Sequence, residues 1–143
     1  MLKILKDRDV KTPVRGTKGS AGIDFFVPND FASFVLLPGK GVNIPSGIRA
    51  DIPEGYALVA FNKSGVALKK NLIVGACVID SDYTGEIHLH VFNVGLEDVE
   101  IYAGDKLVQF LLIPVFHCDI EVVKKIDKET ERGDGGFGST NKI

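Results

Sequence analysis

The chain is punctuated throughout. Its apolar runs, at residues 23–27, 34–37, 47–52, 56–61, 72–79, 86–93, 99–103, 106–115 and 116–123, are short and separated by Gly, Pro, Asn and Asp at close intervals. That cadence predicts an all-β sandwich or barrel. Pro38, Pro45 and Pro53 stand at run boundaries, where a residue without an N–H is tolerated in a sheet. The one helical window, SGVALKK at residues 64–70 with Ser64 read as its N-cap, predicts a turn or two of helix set into the β fold. No repeat, low-complexity block or linker interrupts the pattern.

With 143 residues the chain is a single domain by length, able to bury roughly 68–70% of its unfolded surface without a metal or disulfide. Apolar residues at 45%, charged residues at 25% and a net charge of −2 describe an ordinary soluble protein and argue against a nucleic-acid or membrane partner. The opening MLKILKDRDVK has charges every few positions and no apolar core, so it reads as neither signal peptide nor membrane span. A cytoplasmic protein is expected, or one of the host cytoplasm or nucleus if the source is viral. Cys77 and Cys118 lie in apolar runs, which suits reduced core thiols better than a disulfide framework.

After Val123 the character changes. KKIDKETER at residues 124–132 is dense in charge and cannot pack, so residues 1–123 are read as the β domain and residues 124–143 as a C-terminal arm. Fully extended, residues 121–132 reach at most about 40 Å, enough to span a neighbouring subunit. The arm carries RGDGGFGST at residues 132–140. Its Gly133-x-Gly135-x-x-Gly138 spacing matches a dinucleotide fingerprint, but too few residues follow for the required helix. A Walker A loop needs a lysine that is absent here, and an RGD adhesion tripeptide needs an exported protein. A disordered tail, or a mobile glycine-rich flap that wraps phosphate with backbone N–H groups, remains.

The middle of the chain holds the densest chemistry. Residues 75–91 read as two β-compatible runs around the polar turn DSDYTG, a hairpin in which Cys77 faces His88 and Ile79 faces Glu86. Such a hairpin can offer unpaired backbone groups to a flat ligand such as a nucleobase. Asp80 and Asp82 flank its turn and Tyr83 presents a ring; as a plain structural reading, the aspartates form the turn and the ring packs. Lys63, Ser64 and Gly65 place a cation, a hydroxyl and open backbone at a helix start, which suits an anion. Gln109 amid Leu107, Val108, Phe110 and Leu111 fits the outer face of a strand. His88 and His90 share a strand face, but no third residue follows at metal-ligand spacing.

Taken in order, these pieces resemble the five motifs of the trimeric deoxyuridine triphosphatases, the dUTPase family, over nearly the whole chain: AGIDF at 21–25, NKSGVA at 62–67, residues 75–85, GDKLVQ at 104–109 and RGDGGFGST at 132–140. The resemblance implies a jelly-roll or distorted β-barrel with one short helix and a mobile C-terminal arm. It implies a homotrimer with active sites at subunit boundaries, and hydrolysis of dUTP to dUMP and pyrophosphate with Mg2+. That reaction lowers dUTP and supplies dUMP for thymidylate synthesis.

By the same resemblance Asp80, Gln109 and Arg132 form the catalytic set. Asp80 aligns and deprotonates the water that attacks the α-phosphorus, because bulk water, with a pKa of about 15.7, is a poor nucleophile. Tyr83 lies against the deoxyribose and leaves no space for a 2′-hydroxyl. Backbone at Cys77, Val78 and Ile79, with His88 across the hairpin, pairs with uracil. Ser64, Gly65 and Gln109 contact phosphate, with Lys63 nearby. Asp24 acts on Mg2+ through a water, the ion being carried chiefly by the triphosphate. From the tail, Phe137 stacks on the base and Arg132 pairs with the γ-phosphate. Gly138, Ser139 and Thr140 complete the contacts, the two hydroxyls donating to phosphate. The chain departs from the family pattern at Lys63, usually an arginine, at Cys77, usually a glycine, and at Asn141, usually a glycine. Lys63 exchanges a bidentate fork for a point charge. A dCTP deaminase-like enzyme, a nucleotide-sensing regulator and a structural jelly-roll protein are the competing readings.

Overall fold

The computed structural model describes residues 1–137. Among the described residues ten strands and one helix follow in the order β1 (Lys3–Lys6), β2 (Ile23–Phe25), β3 (Phe34–Leu36), β4 (Gly41–Asp51), β5 (Tyr56–Asn62), α1 (Ser64–Lys70), β6 (Leu72–Val74), β7 (Val78–Ile79), β8 (Ile87–Asn93), β9 (Val99–Ile101) and β10 (Val108–Pro114). One sheet runs β1-β4-β8-β6, a second β2-β10-β5-β7, and β3 pairs with β9 in a small third. All pairings are antiparallel. This is the all-β jelly-roll class with one short helix.

The core follows from strict alternation. In β8, IHLHVFN, Ile87, Leu89, Val91 and Asn93 are buried while His88, His90 and Phe92 are half-buried on the opposite face. One strand therefore serves the core with one face and leaves both histidines for other use. In the second sheet Phe25 and Phe110 pack with ring centroids 4.5 Å apart and planes tilted by 47°. Neither has appreciable exposure, so truncating either to alanine should cost about 3–5 kcal/mol.

Several elements differ from the sequence reading. β4 begins at Gly41 rather than residue 47, and Pro45 lies inside it. Its ladder with β8 slips between Pro45 and Ile48, and this bulge absorbs a residue that has no N–H to contribute. The pattern of apolar runs misses β1, because Lys3 and Lys6 bracket an apolar pair of which only Ile4 is half-buried. Ser64 is the first helical residue; Lys63 is the N-cap and makes no side-chain capping bond. Residues 116–123 form no strand, and Phe116, Ile120 and Val122 are almost fully exposed. Their alternating run pairs with no strand among the described residues. Cys77 is half-buried and Cys118 exposed, so the two free thiols are not core residues.

The largest departure is in the run 72–79. The sequence reads as a single hairpin arm against β8, and that register holds as far as Val74, which pairs with Val91. Gly75 still donates to the carbonyl of His90 at 2.9 Å. The chain then leaves β8: Cys77 O accepts from Ala60 N at 2.8 Å, and β7 pairs with β5, Ile79 opposite Leu58. Cys77 does not face His88 as a ladder partner, nor Ile79 Glu86. The strands splay because the run changes sheets.

Candidate active site

The splay opens a cavity of about 230 Å3 lined by Asn43, Ala76, Cys77, Val78, Ile79, Asp80, Tyr83, Glu86, His88 and His90. Its walls are the departing backbone of 76–79 on one side and the outward histidines of β8 on the other. The slot is sized for a flat ring rather than a whole triphosphate. Asp80 sits at its end and also borders a neighbouring cleft of about 400 Å3 with Glu54, Tyr56, Ser81, Asp82, Val115 and His117. A larger cleft of about 720 Å3 beside Lys69 and residues 94–100 contains none of the anticipated residues.

The turn at the slot's mouth is rigidly built. Tyr83 N donates to Asp80 O at 3.1 Å, and the Tyr83 hydroxyl donates to Glu86 O at 2.8 Å, so the ring is fixed over the turn with one side exposed. Glu86 is anchored in turn: its carboxylate accepts from Arg8 Nε at 2.7 Å and from Gly47 N at 2.8 Å. The Arg8 hydrogen bond is the main reason the Glu86 carboxyl titrates below the ordinary glutamate range, against an opposing contribution from burial.

A second cluster gathers residues distant in sequence. β10 lies between β2 and β5, so Gln109 pairs with Asp24 on one side and Phe61 on the other, on the face away from the core. Its Nε2 donates to Asn62 O at 2.8 Å. Gly22 permits this approach, since a Cβ there would lie 2.1 Å from Gln109 Oε1. Asp24 is buried, with Oδ1 accepting from Lys63 Nζ and Oδ2 lying 3.5 Å from Lys106 Nζ. Ser64 and Gly65 follow Lys63 directly and are exposed. The cluster is thus a paired carboxylate, two ammonium groups, an amide and a hydroxyl around one helix start.

The structure brings Cys77, Val78, Ile79, Asp80, Tyr83 and His88 together in the slot. Lys63, Ser64, Gly65, Gln109 and Asp24 form the other group, and none of them lines the slot. Arg132 is exposed, and Phe137 is fully exposed with φ 51°, so the ring touches neither cluster. Gly138, Ser139, Thr140 and Asn141 lie outside the described residues. Sequence reasoning missed Asn43, Ala76 and Glu86 as lining residues and weighed His90 only as a metal ligand. The period-two pattern of β8 places His90 beside His88 and could have flagged it.

Residues 8–141 match the dUTPase family model. The chain belongs to the dUTPase family. A dUTPase of Desulfitobacterium hafniense, a deoxyuridine 5′-triphosphate nucleotidohydrolase, is 39% identical over 96% of this chain and 91% of its own. The mouse nucleotidohydrolase is 39% identical over 91% of this chain and 78% of its own. Among solved structures, the dUTPase of Staphylococcus bacteriophage 80alpha with dUPNHPP superimposes with a TM-score of 0.86 at 24% identity, covering 97% of each chain. A mutant dUTPase from phage phi11 of S. aureus, described with a structural Mg(II) ion, gives 0.80 at 22% identity, over 90% of this chain and 99% of that one. At these identities the two phage structures establish the shared fold.

A dUTPase-type magnesium ion can be tested against the residues present. Both oxygens of Asp24 already face lysines, and the described residues contain no group of three His, Cys, Asp or Glu arranged for a metal. Asp24 is thus already neutralised by Lys63 and Lys106, which does not suit it to bind the ion directly. No described helix is long and apolar enough to cross a membrane.

Proposed function

We propose that this chain hydrolyses dUTP to dUMP and pyrophosphate as a cytoplasmic dUTP diphosphatase. The observation that carries the reading is the slot opened where residues 75–79 change sheets, with Asp80 and Tyr83 at its mouth, in a chain of the dUTPase family. Uracil enters the slot and pairs with backbone at Cys77, Val78 and Ile79, with His88 opposite. A flat base with acceptor–donor–acceptor edge fits such backbone; cytosine reverses two of the three groups, and the close walls leave no room for thymine's methyl. Tyr83, held over the turn by its bond to Glu86 O, takes the deoxyribose face and excludes a 2′-hydroxyl.

Asp80 accepts a proton from water as that water attacks the α-phosphorus. The bond to the bridging oxygen breaks, pyrophosphate leaves, and Asp80 returns the proton to solvent. Lys63, Ser64, Gly65 and Gln109 hold phosphate oxygens. When bound with the triphosphate, Mg2+ supplies charge neutralisation, and Asp24 orients one of its waters.

The working unit is a homotrimer with each site shared between subunits. Two features support this: the slot and the Lys63–Gln109 cluster share no cavity within one chain, and residues 116–123 carry exposed apolar side chains with no partner strand among the described residues. Residues 124–143 act as an arm and lid over the body 1–123, with Arg132 on the γ-phosphate and Phe137 stacked on uracil. Gly138, Ser139 and Thr140 close the remainder. Lid closure excludes water and strengthens charge stabilisation at the phosphates.

Pyrophosphate release from dUTP, dTTP, dCTP and UTP at equal concentration tests the reading. Turnover confined to dUTP is expected; equal turnover of UTP and dUTP would overturn the role of Tyr83, and no turnover of dUTP would overturn the activity.

A further inference from the structure

We propose that His90 is a positioning residue that holds the base slot open by tethering the backbone where the chain changes sheets. The geometry is specific to that junction. Gly75 N to His90 O, at 2.9 Å, is the last backbone bond from this run to β8, and Cys77 O already belongs to β5 through Ala60 N. The residue between them, Ala76, is left with an N–H that neither sheet ladder satisfies. His90 Nδ1 accepts it at 2.8 Å.

The ring is itself fixed. It meets Phe92 edge-on with centroids 4.7 Å apart. A Cβ on residue 75 would lie 2.4 Å from His90 Nδ1 and 2.6 Å from the Phe92 ring, so only glycine lets the backbone come this close. Accepting at Nδ1 also assigns the neutral ring's proton to Nε2. The imidazole thus bridges β8 to the first residue of the slot's departing wall, and it lines the slot beside His88.

The inference rests on the proposed base slot. Ala76 is exposed, so water can satisfy its N–H once the acceptor is gone, and the fold loses little. The backbone of 76–79 then relaxes away from its base-pairing position. The consequence is weaker base binding at nearly constant chemistry, a split that a purely structural role would not give.

Two variants separate the acceptor from the ring. His90→Phe keeps a ring against Phe92 and removes the acceptor; His90→Asn places an amide oxygen near the position of Nδ1. On the full chain, His90→Phe should raise KM for dUTP and the inhibition constant of dUMP together, by about 5- to 10-fold, the scale of one neutral hydrogen bond. kcat should stay within about twofold and the melting temperature within a few degrees. His90→Asn should restore most of the KM. dUMP carries the base without the triphosphate, so a parallel shift locates the effect in the slot. Unchanged KM in His90→Phe, equal defects in both variants, or a loss confined to kcat would overturn the proposal. Wild-type protein that does not turn over dUTP would instead defeat the functional reading on which it rests.

Discussion

The ammonium of Lys63 donates to the carboxylate of Asp24 across thirty-nine positions of sequence, and Lys106 approaches the second oxygen of the same group. This pair ties the start of α1 to β2 and, through the neighbouring Gln109, to β10. Lys63 neutralises Asp24 and, on the proposed reading, also lends positive charge to phosphates. Lys63→Ala leaves a buried carboxylate with one remaining cation. It should destabilise the protein by about 2 kcal/mol in urea unfolding and raise KM for dUTP. Full stability in that variant would mean that Lys106 alone suffices.

Acid should act on the Arg8–Glu86 pair. The folded-state pKa of Glu86 is depressed below its ordinary 4.5, chiefly by the hydrogen bond from Arg8. Its contribution to stability is therefore fully present above the unfolded value and is lost as pH falls below 4.5 through the depressed folded value. Wild type should be more stable than Glu86→Gln at neutral pH, and the two melting temperatures should converge on acidification below that point. Parallel curves throughout would remove Glu86 from the acid response.

Much of this was legible because strands alternate. Burial of Ile87, Leu89 and Val91, and the register of Leu72–Val74 on β8, follow from a period of two. What escaped was the change of sheet after Gly75, since the run 72–79 keeps its apolar character while its partner switches from β8 to β5. Periodicity names a face, not a neighbour. Pro45 misled for a related reason: a bulge inside a long strand has the same local sequence as a strand end. Residues 116–123 alternate like a strand but pair with none among the described residues, because an alternating pattern names a face and supplies no partner. The slot's Asp80 and Tyr83 were readable as residue types in a turn, and His88 as an outward residue of the strand that follows it. His90's grip on Ala76 depended on the splay and was not.

The arm should be dispensable for folding and required for turnover. Its residues 124–132 are exposed throughout, and Phe137 has no packing contact. Deleting residues 132–143 should leave the melting temperature and oligomeric size unchanged while lowering kcat/KM for dUTP by at least about 100-fold, the scale of a lost set of phosphate donors. Full activity in the truncated protein would remove the lid from the mechanism.

On the proposed mechanism, water activated by Asp80 attacks the α-phosphorus. Hydrolysis of dUTP in 18O-labelled water, followed by mass spectrometry of both products, tests it directly. The label should appear in dUMP and not in pyrophosphate, and Asp80→Asn should lower the rate by about 100- to 10,000-fold while still binding dUTP. Label in pyrophosphate, or undiminished turnover by Asp80→Asn, would contradict the account.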